Sequence, residues 1–126
     1  MSDWVAPLGL DPEVLPLCRA MNRFPGVRTV SSCCGHGSDE FAVWFKADSL
    51  DALPALLYCF DPCHSGQKGW RVVATTDCAM SPVTFCAEGP VGAYEAADRI
   101  AAVMERRPPA WTELAQISME TMKGAK

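Results

Sequence analysis

The densest group of coordinating and nucleophilic side chains in this sequence lies in the stretch Thr29–Gly37, which reads TVSSCCGHG. Two thiols, Cys33 and Cys34, stand beside the imidazole of His36, and two glycines allow positive φ around it. Backbone N–H groups left uncovered in such a turn can bind an anion. A thiolate beside an imidazole is also what a reactive cysteine requires, so the stretch predicts a ligand site, a metal site or a nucleophile.

A binding site for a small nucleotide-like or other anionic ligand is the leading interpretation of this turn. Hydroxyls, glycine amides and an imidazole supply donors, and a tryptophan could stack a base, a contact worth about 1–3 kcal/mol. Arg28 and Arg71 would add positive charge if their strands are neighbours. The predicted ligand-binding residues are Ser31, Ser32, Cys34, Gly35, His36, Gly37, Arg28, Trp44, Arg71 and Thr76.

Thiol-dependent catalysis is a second interpretation, with Cys33 and His36 as the catalytic residues. Their separation of two positions along a turn does not establish that sulfur and imidazole meet. The alternative for the same residues is structural, with the cysteines packed in the core and the imidazole bonded to a backbone carbonyl.

Zinc binding is a third interpretation, since a second cysteine–histidine cluster follows around residues 59–64. A shared zinc site would take Cys33 and His36 from the first cluster and Cys63 and His64 from the second. The sequence lacks the paired C-x2-C spacing typical of zinc fingers. This interpretation makes the protein a zinc-stabilised interaction module.

Composition limits the function classes. The chain has 126 residues, of which 49% are hydrophobic, so we expect one folded domain over 1–126. A net charge of −4 and a pI of about 5.0 argue against broad nucleic-acid binding. No membrane-spanning run or signal segment is apparent, so the predicted location is the cytoplasm. Seven cysteines in such a chain favour free thiols over a disulfide scaffold.

Periodicity predicts the elements that position the turn. Helical spacing of apolar residues follows Asp11-Pro12, which predicts an N-cap with proline at the first helical position. Because Pro16 would strain a long helix, the regular part of this helix is predicted to begin near Pro16. The β-branched run 27–30 predicts a strand over 27–33, and the alternating run 41–45 predicts a second strand. The two should form an antiparallel hairpin closed by the cysteine–histidine turn.

The second half of the chain predicts a similar helix–hairpin order. Residues 1–10 are a lead-in, and residues 111–126 are predicted as a last helix and tail. A tryptophan on the face of the sheet that no helix covers would favour binding of a ligand there, or of a second copy of the chain in a homo-oligomer. The further elements are a helix with Leu50, Leu53, Leu57 and Phe60 buried, an exposed loop over 59–69, strands 70–76 and 83–87, a helix from Tyr94 to Arg107, and Trp44 and Trp70 on the helix-free face.

The predicted order is therefore α-β-β-α-β-β-α-α. Two short antiparallel hairpins and the helices between them favour an α/β fold of the α+β type. We expect a two-layer sandwich with a mainly antiparallel four-stranded sheet and the helices on one face.

The string Thr-Val-Ser-Ser-Cys-Cys-Gly-His, residues 29–36, resembles the Thr-Thr-Ser-Ser-Cys-Ser-Gly-Arg signature of the Tyw3 family of wybutosine-synthesis proteins. Ser31, Ser32, Cys33 and Gly35 match, and the likeness covers roughly residues 14–46. The resemblance implies an α/β protein that transfers methyl from S-adenosylmethionine to a modified guanosine of transfer RNA. His36 stands where that family has arginine.

The string Ser-Cys-Cys-Gly-His-Gly is still more similar to small phage and prophage proteins that carry no established activity. Phage proteins of this size often act against host defences, including by sequestering nucleotide signals. That resemblance implies a non-catalytic binding protein for a small nucleotide-like ligand, with its site on the turn Ser31–Gly37.

Overall fold

The computed structural model of the protein describes residues 5–6, 8–48, 53–75 and 84–106. These residues form four α-helices, four strands and two 3₁₀ turns. The α-helices are α1 (Leu15–Met21), α2 (Leu53–Phe60), α3 (Pro62–Ser65) and α4 (Tyr94–Arg106). The strands are β1 (Val27–Cys33), β2 (Phe41–Ala47), β3 (Arg71–Thr75) and β4 (Thr84–Gly89), and the 3₁₀ turns are Pro12–Val14 and Gly35–Gly37.

The four strands form one antiparallel sheet in the order β1-β2-β4-β3. The predicted α+β class and both predicted hairpins are confirmed. The pairing of β1 with β2 shifts between Thr29 and Ser31, where β1 carries a bulge. Because a one-residue shift exchanges the two faces of a strand, Ser32 lies on the same face as Thr29.

The core lies between one face of the sheet and the helices. Phe41, Val43 and Phe45 alternate along β2 and are fully buried. Buried residues of α1, α2 and α4 pack in the same hydrophobic cluster, which makes the predicted two layers. Each large apolar side chain in such a core contributes about 1.5–3 kcal/mol through burial.

The start of the first helical segment agrees with the sequence pattern. Asp11 is the N-cap of the 3₁₀ turn, Pro12 is its first residue, and regular α-helix begins at Leu15 beside Pro16. Proline at the first positions of a helix loses no hydrogen bond, because those N–H groups have no helical partner. This entry fixes Asp11 close to the end of β1, where its carboxylate reaches the Cys34 amide.

Three structural expectations are wrong. Leu57 is 41% exposed, because the core-facing side of α2 is formed by other residues of that helix, among them Leu56 and Phe60. The segment expected as an exposed loop contains the short helix α3, which Asp61 caps. Trp70 does not share a sheet face with Trp44, as it is 7% exposed in the core.

Trp70 is buried because two phenylalanines enclose it. Its ring lies 5.3 Å from that of Phe41 and 5.9 Å from that of Phe60. Gly89 leaves the space for it, since a Cβ there would come within 2.5 Å of the indole. Trp44 alternates with the core residues Val43 and Phe45, so it lies on the face away from the described helices.

Several predictions fall outside the described residues. They are Leu50, Thr76, half of the lead-in and the C-terminal helix over 111–126. Of the helices that the structure does describe, none combines the length and the apolar character needed to cross a bilayer.

Candidate functional site: an Asp–Cys–His cluster at the first hairpin turn

The turn between β1 and β2 has an unusual backbone. Three consecutive residues have positive φ: Gly35 at 79°, His36 at 52° and Gly37 at 81°. Gly35 is also tightly enclosed, since a Cβ at this position would lie 2.9 Å from the carbonyl oxygen of Glu40. Glycine is therefore required at position 35 for two independent reasons, its φ and its contact.

His36 is the one non-glycine residue with positive φ among the described residues. Its left-handed conformation costs about 1–2 kcal/mol. The conformation turns the side chain outward, where it is 70% exposed. The two ring nitrogens have different neighbours: Nε2 lies 3.9 Å from Asp11 Oδ2, and Nδ1 lies 3.7 Å from Cys34 Sγ.

Asp11, Cys33 and His36 bring a carboxylate oxygen, a thiol sulfur and an imidazole nitrogen within 4.8 Å of one another. Asp11 can take part because its side chain does not cap its own helical turn. Instead, its Oδ2 accepts a hydrogen bond from the backbone N–H of Cys34 at 3.4 Å. The carboxylate is thus fixed against the end of β1, and it is 29% exposed.

The backbone donors of the turn are directed at the two sulfurs. The N–H of Gly35 donates to Cys33 Sγ and that of His36 donates to Cys34 Sγ, each at 3.4 Å. Hydrogen bonds of this kind favour the ionised form of a thiol, which is the form that binds metals. The Gly35 amide, one of the donors expected to be available to an anionic ligand, is therefore already used within the turn.

Cys34 differs from Cys33 in its surroundings. It is 3% exposed and belongs to the core, whereas Cys33 is half-buried. The His36 N–H lowers the pKa of the Cys34 thiol, but burial and the carboxylates of Asp11 and Glu13 outweigh it, so that the pKa is raised. A buried, protonated thiol is a poor nucleophile, even with an imidazole and a carboxylate in line with it.

The second predicted cluster has a different arrangement. Asp61 caps α3 by accepting the N–H of Cys63 at 2.8 Å. The ring of His64 stacks on that of Tyr58 with 3.6 Å between centroids, and its Nδ1 lies 3.9 Å from Asp61 Oδ2. Within the described residues, neither Cys63 nor His64 joins the Asp11 group, so the predicted four-residue zinc site does not assemble.

The other predicted ligand residues are spread over the sheet. Arg28 and Arg71 lie on the two opposite edge strands, so the condition that their strands be neighbours is not met. Arg71 donates to Glu88 at 2.9 Å, which raises the pKa of its guanidinium. Trp44 pairs with Ser31 on the face away from the described helices.

Ser32 is separated from the exposed part of the turn. Its hydroxyl is buried beside the thiol of Cys18. Burial raises the pKa of Cys18 to about 11, against a smaller lowering by Ser32. The β1 bulge explains this position, because it turns Ser32 toward the core.

Asp11 is the member of the cluster that sequence reasoning missed. The Asp-Pro pattern predicted an N-cap, and the carboxylate of an N-cap residue is expected to accept a hydrogen bond from its own helix. Asp11 and Cys34 are 23 positions apart in the sequence, and no repeating pattern relates residues at that separation.

Comparison with known proteins adds no family to this geometry. No protein-family model, no curated protein and no solved structure matches this chain. The resemblances to Tyw3 proteins and to small phage proteins, with the cofactor and substrate they imply, therefore stay predictions.

Proposed function

We propose that this protein binds one zinc-type divalent cation through Asp11, Cys33 and His36. The observation that supports the proposal is the convergence of three different ligand atoms within 4.8 Å. The ligand atoms come from two distant parts of the sequence. Their proximity in space therefore does not follow from neighbouring positions along the chain.

The distances suit a small adjustment on binding. Usual bond lengths in a tetrahedral zinc site put a nitrogen and an oxygen ligand about 3.4 Å apart. The Nε2 of His36 and Oδ2 of Asp11 are 3.9 Å apart. A shift of about half an ångström would bring them to this separation, and an exposed imidazole can make it.

The donor set favours a metal of intermediate softness. Thiolate and imidazole ligands suit zinc and cobalt, whereas magnesium and calcium take oxygen ligands almost exclusively. The hydrogen bond from the Gly35 N–H to Cys33 Sγ supplies the outer support that metal-bound thiolates need.

Local charge supports a cation rather than an anion. The carboxylates of Asp11 and Glu13 both act on Cys34, next to the cluster. A small nucleotide-like anion would meet these negative charges and find the amides of Gly35 and His36 already donating to sulfur. Nucleotide binding therefore ranks behind metal binding as a proposal for this turn, and so do thiol catalysis and methyl transfer.

The test is metal stoichiometry with matched variants. The full chain, stripped with chelator and reloaded with zinc, should retain one equivalent after gel filtration at neutral pH. Cys33→Ser and His36→Ala should lose it, while Cys63→Ser and His64→Ala, which change the same residue types in the second cluster, should keep it. The proposal fails if the wild type retains no zinc, or if all four variants retain it equally.

A further inference from the structure

The cluster supplies fewer ligands than a tetrahedral zinc ion takes. Tetrahedral zinc takes four ligands, and the cluster offers three. Within the described residues, no fourth histidine, cysteine or carboxylate has its ligand atom within 4.8 Å of all three. In zinc sites that act on other molecules, three protein ligands leave the fourth position for water or substrate.

Cys34 is the nearest other thiol, and its position argues against a role as fourth ligand. Its Sγ faces Nδ1 of His36 at 3.7 Å, whereas Asp11 faces Nε2. The lone pairs of the two ring nitrogens point in different directions in the ring plane. Nδ1, the ring nitrogen that Cys34 faces, points away from a metal bound by Nε2, and the Cys34 thiol is instead hydrogen-bonded to the Asp11 carboxylate.

The exposure of the cluster shows which side of a bound metal would be accessible. The side chain of His36 is 70% exposed and that of Asp11 is 29% exposed. Cys34, by contrast, is buried at 3% exposure. A metal held between His36 and Asp11 would therefore have solvent, and not protein core, on its outer side.

Charge indicates the class of molecule that would occupy this side. The carboxylate of Asp11 and the thiolate of Cys33 would together cancel the two positive charges of the metal. A metal centre of zero net charge gives no general attraction for anions such as phosphate. It favours soft ligands, whose bonds to the metal have covalent character, namely imidazole and thiol groups.

We infer that a metal held by Asp11, Cys33 and His36 keeps one position open to a soft donor from solution, an imidazole or thiol group of a small molecule or peptide. This inference rests on the proposed metal binding. It makes the site one for ligand exchange and not a closed structural centre.

Cobalt-loaded full-length protein, titrated with imidazole and separately with inorganic phosphate, tests the inference. Imidazole should shift the visible bands of cobalt saturably, while the near-ultraviolet thiolate-to-cobalt band persists and gel filtration shows the metal retained. Phosphate should leave both regions unchanged. Once loaded with cobalt, Cys34→Ser should keep the full thiolate-to-cobalt absorption, because Cys33 and not Cys34 supplies the metal-bound sulfur.

Three results would overturn the inference while leaving metal binding intact. They are visible bands that imidazole does not shift, a response to phosphate alone, and a thiolate-to-cobalt band weakened in Cys34→Ser. Release of cobalt by imidazole would also count against it, since an open position does not require loss of the metal. Failure of the wild type to bind cobalt or zinc would instead remove the proposed function, and the inference with it.

Discussion

The protein contains two Asp-Pro sequences that begin short helical segments, and the two aspartates do different things. Asp61 accepts the N–H of Cys63 two positions on and so caps its own helix. Asp11 makes no such bond, and its carboxylate reaches across to Cys34 and His36. One sequence pattern thus serves local structure in α3 and long-range structure at the first hairpin.

The difference lies in what the rest of the fold brings near each carboxylate. At Asp11, the end of β1 supplies a backbone N–H that competes with the local cap, together with an imidazole held outward by positive φ. At Asp61 the closest side-chain partner is His64, which stacks on Tyr58. A carboxylate becomes part of a multi-residue cluster when tertiary structure offers it a donor that its own helix does not hold.

The largest expected effect is a difference in zinc affinity between variants of these two aspartates. Asp11→Asn removes a charged ligand atom, so we expect zinc affinity to fall by about 100-fold or more, beyond the usual loss for an outer-shell residue. Asp61→Asn should leave it unchanged. Competition against a zinc indicator dye measures both, and equal affinities in the two variants would contradict the assignment of Asp11.

The next effect compares the glycines of the two regions. Gly35→Ala combines a left-handed φ with a contact 2.9 Å from the Glu40 carbonyl oxygen, so we expect it to lower the free energy of unfolding by roughly 2–4 kcal/mol. Gly66→Ala has a similar φ but nothing within 4 Å, and should cost about 1 kcal/mol. Urea unfolding measures both values. Equal losses would show that the first turn relaxes around an added Cβ.

A third prediction compares the thiols. Cys63 is exposed and Cys33 half-buried, whereas Cys34 and Cys59 are buried, and none of the four forms a disulfide. In the native protein, iodoacetamide should modify the first two at least about tenfold faster than the second two. Added zinc should protect Cys33 and leave Cys63 reactive, as peptide mass spectrometry can follow. Protection of both thiols would indicate a metal shared by the two clusters.

Much of the fold could be predicted from periodicity, since period-two and helical patterns report which face of an element is buried. The strand β1 has the predicted bounds, and α1 begins beside Pro16 as expected. The errors come from tertiary structure. Leu57 fits a helical stripe but falls outside the face that α2 buries, and Trp70 is drawn into the core by Phe41 and Phe60.

The candidate site could be predicted only in part. The types and spacing of Cys33 and His36 indicated chemistry at the turn, and the structure brings these two residues together. The β1 bulge, the strand order that separates Arg28 from Arg71, and the path of Asp11 depend on contacts distant in sequence. Local patterns carry no information about such contacts, so the third member of the cluster was not predictable.

The smallest expected effect returns to capping. Asp61→Ala removes the acceptor for the Cys63 N–H and should lower the free energy of unfolding by about 1 kcal/mol. In metal-free protein, Asp11→Ala removes a longer bond of 3.4 Å to an amide, so its cost should be smaller. Zinc should reverse this order, because only Asp11 would then lose a metal ligand. Urea unfolding with and without zinc measures the reversal, and an unchanged order would mean that the Asp11 carboxylate contributes to folding alone.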